Sequence, residues 1–212
     1  MEIKLEASWL QILKEFEKEY MKNIKNFLLK EIQNKKIIYP KPKNFFKAFE
    51  KTPFDKVKVV ILGQDPYHPN QAQGFCFSVS DQKLPPSLKN IYKEIETSLN
   101  IKMDSGDLTK WSEQILLLNS ILTVEKPASH SKIWENFTDE VIKQISEKKE
   151  NVVFLLWAFA QSKENLIDKK KHFILKTTHP SPFSAHRGFL SNCFIETNKI
   201  LKKIEKEIDW KI

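Results

Sequence analysis

The chain has 212 residues, 35 of them lysine or arginine against 27 aspartate or glutamate, for a formal charge of +8. No apolar run approaches the ~18 residues that a transmembrane helix needs, and the acid-rich first twenty residues contain no signal-peptide core, so a cytoplasmic protein with no membrane partner is expected. Cys76 and Cys193 lie in apolar surroundings without metal spacing and read as reduced, buried thiols. The charge suits a polyanionic partner, and it suits equally a solvated lysine surface, since only Arg187 among the 35 basic residues is arginine.

In chain order, Trp9, Ile12, Leu13, Phe16, Tyr20, Ile24, Phe27 and Leu28 recur at helical spacing and predict a helix over 8–30, with Ser8 and Gln11 as a capping box. Ile37 to Pro42 reads as an extended connection and Asn44 to Lys51 as a short helix. The segment from Val57 to Ser80 dominates the chain. Its β-branched run (Val57, Val59, Val60, Ile61, Leu62) suits a strand buried on both faces and stops at Gly63, followed by Gln64-Asp65-Pro66-Tyr67-His68. A proline pair, Pro85-Pro86, leads into a helix from Ser87, where a missing N–H costs little. Leu108 to Gln114 reads as helical. Ile115 to Leu118 is a second strand run ending at Asn119, and Phe137 to Lys148 a helix capped near Thr138. Asn151–Trp157 and His172–Thr177 are two further strands, the last ending at Thr178-His179-Pro180, and Ser191 to Ile208 is a closing helix. Four strands alternating with helices predict one α/β domain over residues 1–212, a three-layer α/β/α arrangement with a central, mostly parallel four-stranded sheet.

In such a sheet the strand ends share one edge, where ligands bind. Asp65, Asn119, Ala158-Phe159 and His179 therefore face a common crevice. The chain has no Walker loop, G-x-G-x-x-G or G-x-S-x-G motif, and its five histidines show no metal-ligand spacing, so neither a metal nor a cofactor is expected. A carboxylate stabilises an oxocarbenium-like sugar and orients water. An imidazole N–H stabilises a departing anion, a carboxamide reads a heterocycle edge, and an aromatic such as Phe77 stacks on its face. Together they describe hydrolysis of an N-glycosidic bond. Taken singly, Gln64-Asp65-Pro66 is an ordinary turn, Asn119 a strand-end cap, His179-Pro180-Ser181-Pro182 a rigid loop, and Phe75 a core aromatic.

The segments GQDPYH, LLLNSILTVE, NVVFLLW and HPSPFSAHRGF, with LPPSLKNIYKEI and WENFTDEVI, resemble in order the motif set of uracil-DNA glycosylases, the main uracil-excising family (family 1), from about Tyr39 to Leu201. The resemblance implies a cofactor-free, monomeric repair enzyme that cuts uracil from single- and double-stranded DNA, and a DNA-mimic protein inhibitor as a possible partner. It implies that Asp65 and His179 are catalytic and that Gln64, Tyr67, Phe77 and Asn119 form the uracil pocket, Gln64 through its backbone. Pro85, Pro86, Ser87, Ser181, Phe183, Ser184, His186 and Arg187 would contact DNA, and the target base would leave the stack to reach the pocket. The sequence also departs from the family pattern. Phe183 replaces a leucine wedge, and 157–161 is one residue shorter and lacks a Gly-Ser pair. A glycine is missing after His68, Gln73 stands where histidine is frequent, and the loops around Pro69 and from Glu125 to Ile133 are shortened.

Overall fold

A computed structural model describes residues 5–68, 71–80, 83–125, 130–204 and 206–212. The expected first helix is broken. Helix α1 spans Ala7–Ile12, a 3-10 turn follows at Glu15–Glu17, and α2 spans Glu19–Gln33. The capping box does not form: Glu6 caps α1, its carboxylate accepting from Ser8 N–H at 3.0 Å, while Ser8 Oγ accepts from Phe54 N–H at 2.8 Å. The break lets Trp9 pack edge-on against Phe49 and Phe54 at 5.1 and 5.0 Å, each such pair contributing about 0.5–1.5 kcal/mol.

The extended connection contains the two-residue strand β1 (Ile38–Tyr39), and the short helix after it is reduced to α3 (Lys47–Lys51). Strand β2 spans Val59–Gly63 with every residue buried, as a strand covered on both faces requires. Helix α4 spans Pro86–Leu99 with proline in its first turn, and ends at Asn100 in the left-handed conformation. The residues before β3 (Ile115–Asn119) form a 3-10 turn. Strand β4 (Val124–Glu125) pairs antiparallel with β1.

Helix α5 spans Ser131–Lys148, beginning well before the expected Phe137. Thr138 is not a cap. It lies inside the helix, its hydroxyl donating to Ser120 O at 2.9 Å across to the end of β3. Strands β5 (Val153–Trp157) and β6 (Phe173–Thr177) follow. Helix α6 stops at Lys203, running Cys193–Lys203, and the chain beyond it is irregular. Trp210 folds back there, 4.7 Å from Phe194, and its carbonyl accepts from Trp111 Nε1 at 2.7 Å.

The main sheet is all parallel in the order β3-β2-β5-β6. Helices cover both of its faces, α2 packing on α5 and α4 on α6, which gives the three layers expected. Glu94 joins the second pair. It is 1% exposed and faces the N–H groups of Asn192, Cys193 and Phe194 at the start of α6, although burial still raises its pKa to about 7. Cys76 and Cys193 are buried free thiols, as expected. His172 is structural, its Nδ1 accepting from Val152 N–H and its Nε2 meeting Ser146 O. No helix among the described residues is long and apolar enough to cross a membrane.

Candidate active site

The register places Gly63 and Asn119 side by side at the C-terminal ends of β2 and β3. Beyond that point Ser120 N–H donates to Gly63 O at 2.8 Å and Ile121 N–H to Gln64 O at 2.9 Å, so the chains leaving both strands are tied together. The Gln64 carbonyl is thus taken up in this tie, and its side chain is exposed. Cys76 closes the same corner, its N–H donating to Leu117 O and its thiol to Ile61 O. Asn119 is 6% exposed, and its carboxamide forms no hydrogen bond among the described residues. Its oxygen can accept and its NH₂ can donate, so both ends of the amide are open to a ligand.

Asp65 lies two residues past the end of β2. Its side chain reaches solvent, yet the packed walls around it strip enough water to raise its carboxyl pKa above the ordinary value, with the nearby His68 opposing the shift. Tyr67 is half-buried with its hydroxyl beside the Ser87 side chain, and burial pushes that phenol up. Tyr67 itself thus sits against the first turn of α4. Gln73, where the resemblance expected histidine, is buried and accepts from Ser78 Oγ at 3.1 Å. The shortened loops at Pro69–Asn70 and 126–129 lie outside the described residues.

Phe77 is 9% exposed and sits between Trp157, at 5.3 Å between ring centres, and His179, at 5.9 Å. Trp157 is itself fully buried against Phe189 at 5.1 Å. A row of rings thus backs the crevice wall. Phe77 has φ of 60°, a conformation that costs about 1–2 kcal/mol in a residue with a Cβ. Strain of this kind persists where the surroundings over-determine a side chain's direction, and here they aim the ring at His179.

His179 stands two residues past β6. Its Nδ1 accepts from Ser181 N–H at 3.0 Å, so the proton of the neutral ring is on Nε2. Burial lowers its pKa and keeps it neutral. The loop that carries it has two prolines and so few N–H donors, and side chains hold it instead. Ser184 Oγ donates to His179 O at 2.9 Å and lies 2.9 Å from Ser181 Oγ, while Asn90 Nδ2 reaches Pro180 O at 2.7 Å and Thr177 Oγ1 donates to Gly188 O at 2.7 Å. Two of the three serines expected to meet DNA, Ser181 and Ser184, are therefore engaged with the loop itself.

Around the crevice mouth, Pro86, His186 and Arg187 are exposed, Ser87 is half-buried and Pro85 is buried. Phe183 projects 87% exposed, far more than any other large apolar residue of the described chain. Among the described residues no group of three or more His, Cys, Asp or Glu is placed to hold a metal. The sequence reading missed two features of this site. One is the clearance that Gly63 gives Asn119, which an apolar run stopping at a glycine could have signalled. The other is Asn90, a helix residue with no distinguishing pattern.

The geometry joins a solvent-reaching carboxylate, an uncommitted carboxamide, a stacking ring and an imidazole with Nε2–H to donate. The profile of the Uracil DNA glycosylase superfamily matches residues 49–202. A uracil-DNA glycosylase of Borrelia turicatae is 57% identical over 97% of each chain. The crystal structure of mimivirus uracil-DNA glycosylase superposes with a TM-score of 0.92 at 30% identity, covering 99% of this chain and 88% of that one. A mimivirus UNG solved in complex with UGI superposes at 0.89, with 30% identity and 99% and 89% coverage.

Proposed function

The chain belongs to the uracil-DNA glycosylase superfamily, and on that premise we propose that its crevice hydrolyses the bond between uracil and deoxyribose in DNA, with Asp65 and His179 supporting the two charges that develop. The observation that carries this reading is the convergence of Asp65, Asn119 and His179 at one sheet edge, with the imidazole proton on Nε2.

The reaction is dissociative. The bond from C1′ to N1 breaks, its electron pair stays with uracil, and positive charge develops on the sugar. The Asp65 carboxylate faces that charge and orients the water that adds to C1′, and the proton this water loses passes through solvent to balance the departed uracil anion. His179 Nε2–H donates to uracil O2 without giving up its proton, stabilising the anion. Asn119 reads the O4/N3 edge, Phe77 stacks on the ring, and Tyr67 fills the space beside C5 where thymine carries a methyl group. Gln64 lines the pocket through its backbone. Pro85, Pro86, Ser87, Ser181, Ser184, His186 and Arg187 grip the DNA backbone without reading sequence, and Phe183 enters the stack as the base leaves.

Membership of the main uracil-excising branch, family 1, is supported by relatives 52–57% identical over nearly the full chain. A single domain is supported by one connected core. The same reading takes the protein as a cytoplasmic monomer acting on both single- and double-stranded DNA, and as a target for a DNA-mimic protein inhibitor, a partner that the complex of a mimivirus UNG with UGI supports. The test is incubation in EDTA with otherwise identical U-, T- and C-containing oligonucleotides, followed by alkali. Scission confined to the U strand is expected. Intact U strands, or equal scission of all three, refute the reading.

A further inference from the structure

Asn90 lies on α4 one turn beyond Ser87, and its carboxamide nitrogen is 2.7 Å from Pro180 O. A carbonyl only accepts, so the NH₂ end of the amide must face it. Pro180 is buried and immediately follows His179. The helix whose first turn holds Pro86 and Ser87 is thereby strapped to the backbone beside the imidazole. Asn90 also lines the floor of a groove of about 410 Å³ between α4 and the 182–190 segment, where Pro86, Pro182 and His186 meet. The remaining ties on this loop, from Ser181 and Ser184, come from within the loop itself and cannot fix it relative to the rest of the protein. Thr177 ties the far end of the segment, at Gly188, to β6. Two side chains from other elements hydrogen-bond the backbone beside His179 among the described residues: Gln161, whose Nε2 donates to Thr177 O at 3.0 Å on the strand side, and Asn90 on the side of the Pro180–Ser184 loop.

We propose that Asn90 is a positioning residue for His179, setting the imidazole relative to the DNA-gripping turn at the head of α4. The inference rests on the reading of His179 given above. Nothing in it requires Asn90 to touch uracil. A misplacement of about 1 Å at a reacting group costs up to about 10²-fold in rate, whereas backbone contacts to DNA survive small shifts of one loop.

The test is a double-mutant cycle read by single-turnover excision and by binding to uracil-free duplex. Asn90→Ala is expected to slow excision about 10- to 100-fold and to change duplex binding less than about twofold. In a His179→Ala background the same substitution is expected to cost less than about twofold more, because the group it positions is gone. Multiplicative losses, or full excision by Asn90→Ala, overturn the inference while leaving the roles of Asp65 and His179 intact. Full excision by His179→Ala instead overturns the reading on which it rests. Asn90→Asp keeps the shape and gives a second readout. Its carboxylate repels Pro180 O, and its protonated form restores a donor. Its rate relative to the unsubstituted protein is therefore expected to rise as pH falls from 8 to 5, and a flat ratio also overturns the proposal.

Discussion

A methyl group built on Gly63 would lie 2.5 Å from Asn119 Oδ1 and 2.5 Å from Cys76 Cβ. The glycine at the end of β2 is thus what allows the carboxamide at the end of β3 to occupy its place. Cys76 is pinned by its own N–H and thiol, so the carboxamide of Asn119, which no hydrogen bond holds among the described residues, is the neighbour that must give. Gly63→Ala is expected to push the carboxamide out of position, lowering uracil excision about 10²-fold. Overpacking should cost about 1–3 kcal/mol of stability. Single-turnover rates and thermal unfolding measured together check it. A variant that folds less stably yet excises normally would show that Asn119 does not need this clearance.

Asp65→Asn separates function from stability. The substitution removes the charge proposed to face the sugar cation, and excision is expected to fall on the order of 10³-fold, with DNA binding largely kept. The fold should gain. The folded-state pKa of Asp65 lies above its ordinary value, so its ionised form is disfavoured in the folded protein, and that penalty grows as pH rises from the unfolded value through the folded one. Asparagine is therefore expected to stabilise at neutral pH, by no more than about 1 kcal/mol because solvent reaches the site, and to be neutral in strong acid. Denaturant titrations at two pH values test the sign.

The pH profile follows from the same pair. In the proposed mechanism excision requires ionised Asp65 and neutral His179, and both conditions fail on the acid side. Burial moves the two groups toward each other, the carboxyl up from 3.8 and the imidazole down from 6.5. The acid limb of the excision rate should therefore have its midpoint between those two values. A midpoint above 6.5 would mean that His179 is not held neutral by its surroundings.

Much of this site was legible because parallel strands deliver their C-terminal ends to one edge. Asp65 and His179 each lie two residues past an apolar run that the structure shows as a strand of five residues, and Asn119 is the last residue of a third. Helix limits were less legible. Periodicity alone cannot tell that the chain turns at Leu13 so that Trp9 can meet Phe49, since that preference belongs to a tertiary contact. The C-terminal helix was overextended for a like reason: Trp210 buries itself against Phe194 only if the helix stops at Lys203. Asn90 left no trace because its partner is a backbone carbonyl ninety positions away.

Ala158 lies in the shortened segment that lacks the expected Gly-Ser pair, and it adopts φ of 48°. The left-handed conformation costs an alanine about 1–2 kcal/mol. Glycine avoids that cost but loses about 0.4–1 kcal/mol to the greater freedom of its unfolded chain. Ala158→Gly is expected to stabilise by roughly 0.5–1 kcal/mol, raising the unfolding midpoint by about 1–4 °C. Calorimetry measures this directly, and a lower midpoint would mean that the Ala158 methyl group makes packing contacts worth more than the strain.

Phe183 ties shape to substrate. A ring 87% exposed at the crest of the His179 loop has no folding role that would keep it there. An apolar side chain in that place can occupy the gap left by a base that has swung into the pocket, at a site where unstacking costs a few kcal/mol. A single strand presents no paired stack to open. Phe183→Ala is therefore expected to slow excision from duplex about tenfold or more while changing single-strand excision less than about twofold, with thermal stability unchanged because the ring buries almost nothing. Phe183→Leu should recover most of the duplex rate, since a branched aliphatic wedge fills the same gap without stacking. Equal losses on both substrates would assign the ring to a general DNA contact, and recovery by leucine alone would locate its contribution in volume.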